Sequence, residues 1–258
     1  MVGTKIPHEL QARRAQVSAV ADLTPGYRRL TLTLAEGEAA VPWVHLAVGA
    51  HIKLVLPDPV TQELSFPTWG QSAGRPSGGS PLRDYTIRAV PDPRTLVVEV
   101  VVHGSGPGST WAEHAAVGTP VGILGPRGSK VMPDDRSRYL CLVDGSALAV
   151  AGRWLEEAPA HAVVDIAVEG ADPSGILPER PDARITLVED SDGTGLAAHL
   201  ARLAPGAGDL VWAAGETSSM VRVRTAARAL GVTQDDLEIQ GYYRHGVAGR
   251  DHHAPLDT

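Results

Sequence analysis

A single cysteine, Cys141, stands in 258 residues. One thiol cannot close an internal disulfide, and it cannot furnish the four thiolates of an iron-sulfur cluster or a structural zinc site. Any redox chemistry therefore has to come from a bound organic cofactor, and no resident metal is expected. Long apolar runs are missing too. None approaches the roughly 18 to 20 residues that a membrane span requires, and the opening Met-Val-Gly-Thr-Lys-Ile-Pro-His lacks the apolar stretch of a signal peptide. The expectation is a cytoplasmic protein with no stable membrane association. Positive charge is in deficit, 23 Lys and Arg against 30 Asp and Glu, a net charge of -7. That balance argues against general nucleic-acid binding, although it leaves room for a local basic pocket.

What is present divides the chain in two. With 43% hydrophobic residues the length suits one large core or two modest ones, and two domains are expected. From Ala15 to about Val131 apolar residues alternate in short runs, as in Arg29 to Leu34, His51 to Leu56 and Thr95 to His103. Period two between Pro and Gly punctuation predicts an antiparallel barrel or sandwich. Beyond Pro133-Asp134-Asp135-Arg136 the pattern changes to strands alternating with helices. Helical stretches are expected at Ser146 to Glu157, near 194 to 203, and after Leu210 to Ala214, where Met220, Val223, Ala227 and Leu230 share a face. Apolar runs at 162 to 168 and 184 to 188 complete a parallel sheet, whose ligands bind beyond the carboxyl ends of the strands. The domains expected are 13–135 and 136–247. Cys141 lies mid-run and reads as a small core residue.

Two segments carry chemistry. Arg83-Asp84-Tyr85-Thr86-Ile87-Arg88 follows a Gly/Ser/Pro-rich stretch and crowds cations, a ring and a hydroxyl onto one short strand. Those groups suit a flavin nucleotide: an arginine fork for a pyrophosphate, a tyrosine to pack on the flavin, a hydroxyl for the ring nitrogen that accepts hydride. An ordinary half-solvated strand is the plain alternative. His103-Gly104-Ser105-Gly106-Pro107-Gly108-Ser109-Thr110-Trp111-Ala112 leaves a strand, turns through three glycines and enters a helix at Ser109 or Thr110. That arrangement brings backbone N–H groups to a phosphate, or makes a Gly-rich turn with a serine cap. It lacks the Gly-Lys-Ser/Thr of a Walker loop. Asp251-His252-His253 reads as a polar tail rather than a metal site, Trp154 and Leu155 as the buried face of a helix, and Asp235-Asp236 as a solvated helix cap or turn.

Taken together with Thr24-Pro25-Gly26-Tyr27-Arg28-Arg29-Leu30, His51-Ile52-Lys53-Leu54, Gly125-Pro126-Arg127-Gly128, Trp212-Ala213-Ala214-Gly215-Glu216 and Gly241-Tyr242-Tyr243-Arg244-His245-Gly246, these segments make the chain resemble the siderophore-interacting protein family. Its members are flavin-dependent ferric-siderophore reductases of the ferredoxin reductase-like superfamily. The resemblance implies an FAD-binding antiparallel β-barrel followed by an α/β domain that receives NADH or NADPH, and a monomer is expected. It assigns FAD to Arg83, Tyr85, Thr86, Ile87, Arg88, His103, Gly104, Gly108, Ser109, Thr110 and Trp111, with Tyr85 and Thr86 nearest the chemistry. Asp144, Ser146, Ala147, Gly215 and Glu216, with the helix start from Thr217 to Ser219, fall to the nicotinamide. Lys53, Arg127 and Arg244 are the candidate cations for an anionic ferric siderophore. One departure stands out: where the family commonly reads Gly-Asp-Glu-Thr-Ala-Leu-Pro, this chain reads Val143-Asp144-Gly145-Ser146-Ala147-Leu148-Ala149. The same turn has an outline of a hydrolase nucleophile elbow, but Asp144 and Leu148 occupy the places of its glycines.

Overall fold

The computed structural model describes residues 2–67, 80–189, 193–247 and 256. Most of the Gly/Ser/Pro-rich stretch, residues 68–79, and Asp251-His252-His253 lie outside them. The chain divides into two units: Ile6–Val44 with Gly49–Ser129, and Lys130 onward with the residues up to Lys5 and His45–Val48. No described helix is long and apolar enough to cross a membrane.

The first unit carries the alternating runs. In chain order the elements up to Val131 are β1 (Thr4–Pro7), β2 (Ala12–Thr24), β3 (Tyr27–Leu34), β4 (His51–Val55), β5 (Leu82–Thr86), β6 (Ala89–Asp92) and β7 (Thr95–Val101), then helix α1 (Pro107–His114), β8 (Pro120–Leu124) and β9 (Gly128–Val131). Strands β1 and β9 form a ladder of their own, and the other seven make one antiparallel sheet in the order β5-β4-β8-β2-β3-β7-β6. The edge strands β5 and β6 do not pair, yet only Ile87 and Arg88 separate them in the chain. Two linking residues span about 10 Å at most, so the sheet has to curl until its edges nearly meet. The chain itself closes the seam. Ile87 N–H donates to Ala50 O and Arg88 N–H to Val97 O, both at 2.9 Å. Ile87 is fully buried, with Leu30, Leu32, Leu54, Leu96 and Val98, the inward positions of their strands.

The second unit is built from β10 (Arg138–Asp144), a 3-10 turn at Gly145–Ala147, α2 (Leu148–Glu157), β11 (Val163–Glu169), β12 (Arg184–Val188), α3 (Thr194–Leu203), β13 (Asp209–Glu216), α4 (Thr217–Ala229) and β14 (Leu237–Tyr243). The five strands are parallel in the order β12-β11-β10-β13-β14. Helices cover both faces, which is why β10 and β13 are continuously apolar rather than alternating. Leu140, Leu142, Val211 and Ala213 pack under α3 and α4 with Leu196, Leu200, Met220 and Val223. On the other face the Tyr139 and Trp154 rings lie 4.8 Å apart, and Cys141 is buried with its thiol pushed up by desolvation. The segment His45–Val48 is held here because Leu46 N–H donates to Glu157 Oε2 at 2.6 Å, a carboxylate that also pairs with buried Arg153.

Three local readings shift. Leu230 caps α4, just past its last helical residue Ala229, and is 37% exposed instead of lying under it. The run 184–188 is an edge strand with Ile185 and Leu187 exposed. Asp236 is not purely solvated: it pairs with Arg136 at 2.9 Å and accepts from Thr233 at 2.7 Å.

Candidate functional site

Strand period sends Arg83 and Tyr85 to one face of β5 and Asp84 and Thr86 to the other. The Arg83 and Tyr85 face meets the start of α1. A Cβ added at Gly108 would lie 2.4 Å from the Tyr85 hydroxyl and 3.3 Å from Arg83 Cγ, so both side chains sit directly over a glycine. The helix begins at Pro107, two residues before Ser109, since proline suits a first position that needs no N–H. Ser109 does not cap it. Its Oγ accepts from His103 N–H at 2.8 Å, fastening the turn. No side chain caps α1, so its first amides and the positive end of its dipole suit an anion.

Around that end the geometry favours a ligand. Gly104 and Gly106 have φ of 73° and 80°, and a Cβ on either would meet nothing within 4 Å. The Trp111 indole N–H is buried with no acceptor, an arrangement that costs free energy unless a ligand supplies one. Burial pushes the Tyr85 hydroxyl up to about 12, with Arg83 pulling the other way, so it stays a neutral donor. Arg83, whose guanidinium donates to Leu82 O at 2.6 Å, and the uncapped amides beside it suit the pyrophosphate of FAD, and the orphaned indole N–H on the same helix suits one of its polar edges. Thr86 is buried and lies opposite His51 in the β4–β5 register. Ile87 and Arg88 belong to the barrel seam, Arg88 lying 3.5 Å from Glu99. Thr110 and His103 are exposed.

Sequence reading passed over two residues here. Arg28 donates to the last carbonyls of α1, Ala112 at 2.5 Å and Glu113 at 2.7 Å, while its Nε is held by Asp22 at 2.5 Å. It therefore fixes the far end of the helix whose near end faces Tyr85, a favourable place for a cation. Asp84 is the other. Both its oxygens hold Lys53 Nζ, at 2.7 and 2.8 Å, because the two residues are opposite in register. Lys53 also pairs in register with Leu124, three residues before the exposed Arg127. Arg244 is exposed in the other unit, just past β14.

At the carboxyl ends of the parallel strands two acidic residues organise the backbone. Asp144 Oδ1 accepts from Ser146 N–H at 2.8 Å and from its hydroxyl at 2.6 Å, and Oδ2 accepts from Glu216 N–H at 2.8 Å. Burial pushes Asp144 up, against these bonds and one from Tyr243. A Cβ on Gly215 would fall 2.5 Å from Asp144 Oδ2, which explains the glycine. Glu216 Oε2 accepts from Ser218 N–H at 2.5 Å and Ser219 N–H at 3.0 Å. The α4 amides that the sequence offers to a dinucleotide are thus already capped. Ser146 gives its hydroxyl to Asp144 rather than to a histidine, which removes the hydrolase outline. Ala147 is buried beside it.

Comparison with known proteins shows the family. The profile of the siderophore-interacting FAD-binding domain matches residues 16–130, and that of the siderophore-interacting protein matches residues 136–246. A siderophore utilization protein from T. fusca superposes with a TM-score of 0.83 at 32% identity, covering 97% of this chain and 99% of that one. The chain belongs to the siderophore-interacting protein family. An NADPH-dependent ferric-chelate reductase of Escherichia coli is 29% identical over 153 residues, 59% of each chain; the chain thus spans under two thirds of that relative. The ferredoxin reductase in carbazole 1,9a-dioxygenase shares the two-domain fold alone, at 14% identity and a TM-score of 0.69 over 91% of this chain and 68% of that one.

Proposed function

We propose that the protein is a cytoplasmic, monomeric reductase that takes electrons from NAD(P)H through FAD and delivers them to the iron of a ferric siderophore. The observation that carries this reading is the junction of β5 and α1, where Arg83 and Tyr85 sit over the uncapped helix start beside two open glycine turns, with the orphaned Trp111 N–H on the same helix. FAD, when bound, supplies the conversion between a two-electron donor and a one-electron acceptor. Arg83 and the amides of Gly108 and Ser109 hold its pyrophosphate, Tyr85 offers ring and hydroxyl, and Thr86 offers a hydroxyl to the flavin ring. His103, Gly104, Thr110 and Trp111 line the remainder, and Ile87 and Arg88 keep the seam beside it closed. Asp144, Ser146, Ala147, Gly215 and Glu216 shape the nicotinamide end through the backbone they hold. Arg127 in the first unit and Arg244 in the second are the cations each offers to an anionic substrate, while Lys53 is already held by Asp84.

One NAD(P)H reduces two ferric ions, giving NAD(P)+, a proton and two ferrous ions. Hard oxygen donors hold Fe(III) far better than Fe(II), so reduction releases the metal. The nicotinamide pool and the demand for ferrous iron both lie inside the cell, which supports the cytoplasmic assignment. Purified protein should be yellow, bleach anaerobically with NAD(P)H and recover its flavin bands when a ferric siderophore is added. A colourless protein that FAD cannot reconstitute would end this reading. The capped α4 amides and Gly145 favour a second one, siderophore binding without turnover; its mark is a flavin that neither nucleotide bleaches.

A further inference from the structure

We infer that Arg13 is a positioning residue whose buried guanidinium fixes the turn that presents Arg127 to an anionic ferric siderophore, an inference that rests on the reading of Arg127 above. Strand period asks for an apolar residue at this place. The inward positions at the start of β2 are 13, 15 and 17, and Arg13 lies opposite the buried Ile123 of β8 in register. Ala15 and Val17 are the ordinary kind, yet Arg13 is as buried as they are, 2% exposed. Burial works against its charge, with Glu38 acting the other way. A buried cation costs free energy unless its donors are answered.

Backbone carbonyls answer most of them. Nε donates to Ala39 O at 2.6 Å, Nη1 to Gly125 O at 2.8 Å, and Nη2 to Ala40 O at 3.0 Å and to Gln11 Oε1 at 2.7 Å. One planar fork therefore ties the exposed stretch after β3 to the turn after β8. A lysine ammonium carries its donors on a single atom and lacks that span.

Gly125 opens the turn Gly125-Pro126-Arg127-Gly128, and it is held twice, since its N–H also donates to Gln11 O at 3.0 Å. Its φ is 89°. Glycine has other conformations within reach once its carbonyl is released, so the bond from Arg13 is one of two that limit the turn on this side. The far side is held as well: Arg127 O accepts from His8 N–H at 2.9 Å, and a Cβ on Gly128 would stand 3.0 Å from Ile6 O. The Arg127 side chain itself is exposed. A long cation loses rotamer freedom when it meets a ligand, and a backbone already fixed beneath it lowers the total ordering cost.

The test uses the FAD-loaded full chain and redox-inert gallium(III) complexes, an anionic tris-catecholate and a neutral tris-hydroxamate. Calorimetry at low salt gives their binding, and KM and kcat are measured with the ferric forms. Arg13→Lys keeps the charge and loses the fork, so it should weaken the anionic complex about threefold or more and the neutral one far less, with the change falling on KM rather than kcat. In an Arg127→Ala background it should have no further effect on the anionic complex. Gln11→Ala, at a half-buried position, removes one acceptor of the fork and should give the same pattern at smaller size, which decides the matter where Arg13→Lys does not fold. A lowered melting temperature with anionic binding intact, equal loss with the neutral complex, or a loss that persists without Arg127 makes Arg13 a structural residue only and overturns the inference. Anionic binding unchanged in Arg127→Ala alone overturns the reading of Arg127 and the inference with it.

Discussion

Alanine at position 108 tests whether Tyr85 and α1 form the cofactor junction. The new methyl carbon would stand 2.4 Å from the Tyr85 hydroxyl oxygen, against 3.4 Å or more for an ordinary contact, so the phenol has to retreat by about 1 Å. Overpacking of this kind costs about 1–3 kcal/mol. Alanine restricts the unfolded chain more than glycine, a gain of about 0.4–1 kcal/mol at a compatible φ, which offsets part of it. In Tyr85→Phe the oxygen is gone and the nearest ring atom becomes Cζ at 3.6 Å, an ordinary contact. The Arg83 Cγ at 3.3 Å remains in both backgrounds and belongs to a flexible chain. Gly108→Ala should therefore destabilise the wild type yet stabilise Tyr85→Phe, a coupling of about 1–3 kcal/mol. Urea unfolding of the four apo proteins measures it. Flavin fluorescence gives the FAD affinity, which should fall about tenfold in the single variant, the equivalent of about 1.4 kcal/mol. Equal effects of alanine in both backgrounds, with unchanged FAD affinity, would refute the contact and its role.

Arg28→Ala should weaken FAD binding several-fold and lower the melting temperature, with Arg28→Lys restoring part of the affinity; a melting change with unaltered FAD affinity would reduce Arg28 to a structural cap. Lys53→Ala alone should scarcely change reoxidation of reduced enzyme by an anionic ferric siderophore, since Asp84 already neutralises it, whereas Arg127→Ala should raise the apparent binding constant, more so at low salt. Equal loss with a neutral ferric hydroxamate would sink the steering role of Arg127. The Tyr85 hydroxyl titrates at about 12 in the fold against 10.0 unperturbed, so the native state holds its proton more tightly. Its contribution is complete below the unfolded value and is lost as pH rises from about 10 to about 12, and ultraviolet phenolate titration of wild type against Tyr85→Phe should show the missing late step.

The two halves of the fold were legible because burial imposes different periods on them. Leu30, Leu32 and Leu34 alternate with half-exposed residues in β3, while β10, covered on both faces, reads as an unbroken apolar run. The segments around Arg83 and Gly104 were visible because cations and glycines of that density have few other uses. What the sequence hid was partnership across strands. Lys53 looks like an available cation until the register sets it against Asp84, and Arg28 looks like a surface arginine until β3 is laid beside α1. The sequence puts the start of α1 at Ser109 or Thr110 because Ser109 has the chemistry of a cap, whereas its hydroxyl is turned to His103 and the helix starts at Pro107. The sequence offers Glu216 to a nucleotide at the end of a parallel strand, yet its carboxylate closes the helix start it precedes.

These caps follow a pattern that bears on how the two cofactors are treated. Helix α1 keeps its first amides uncapped by any side chain and has Arg83 beside them. Helix α4 is closed by Glu216, and the turn after β10 is closed by Asp144, so each places a carboxylate where a phosphate would compete. An anion therefore gains a helix dipole and a guanidinium in the first unit, but displaces or skirts a fixed carboxylate in the second. That difference separates a group that stays from one that must leave after every hydride delivered. A nicotinamide nucleotide held as firmly as FAD would block its own replacement, because residence time is set chiefly by the dissociation rate. FAD should accordingly survive gel filtration with the protein, and NAD+ should be lost in the same passage; co-elution of both, or of NAD+ alone, would contradict the division of labour read from the caps.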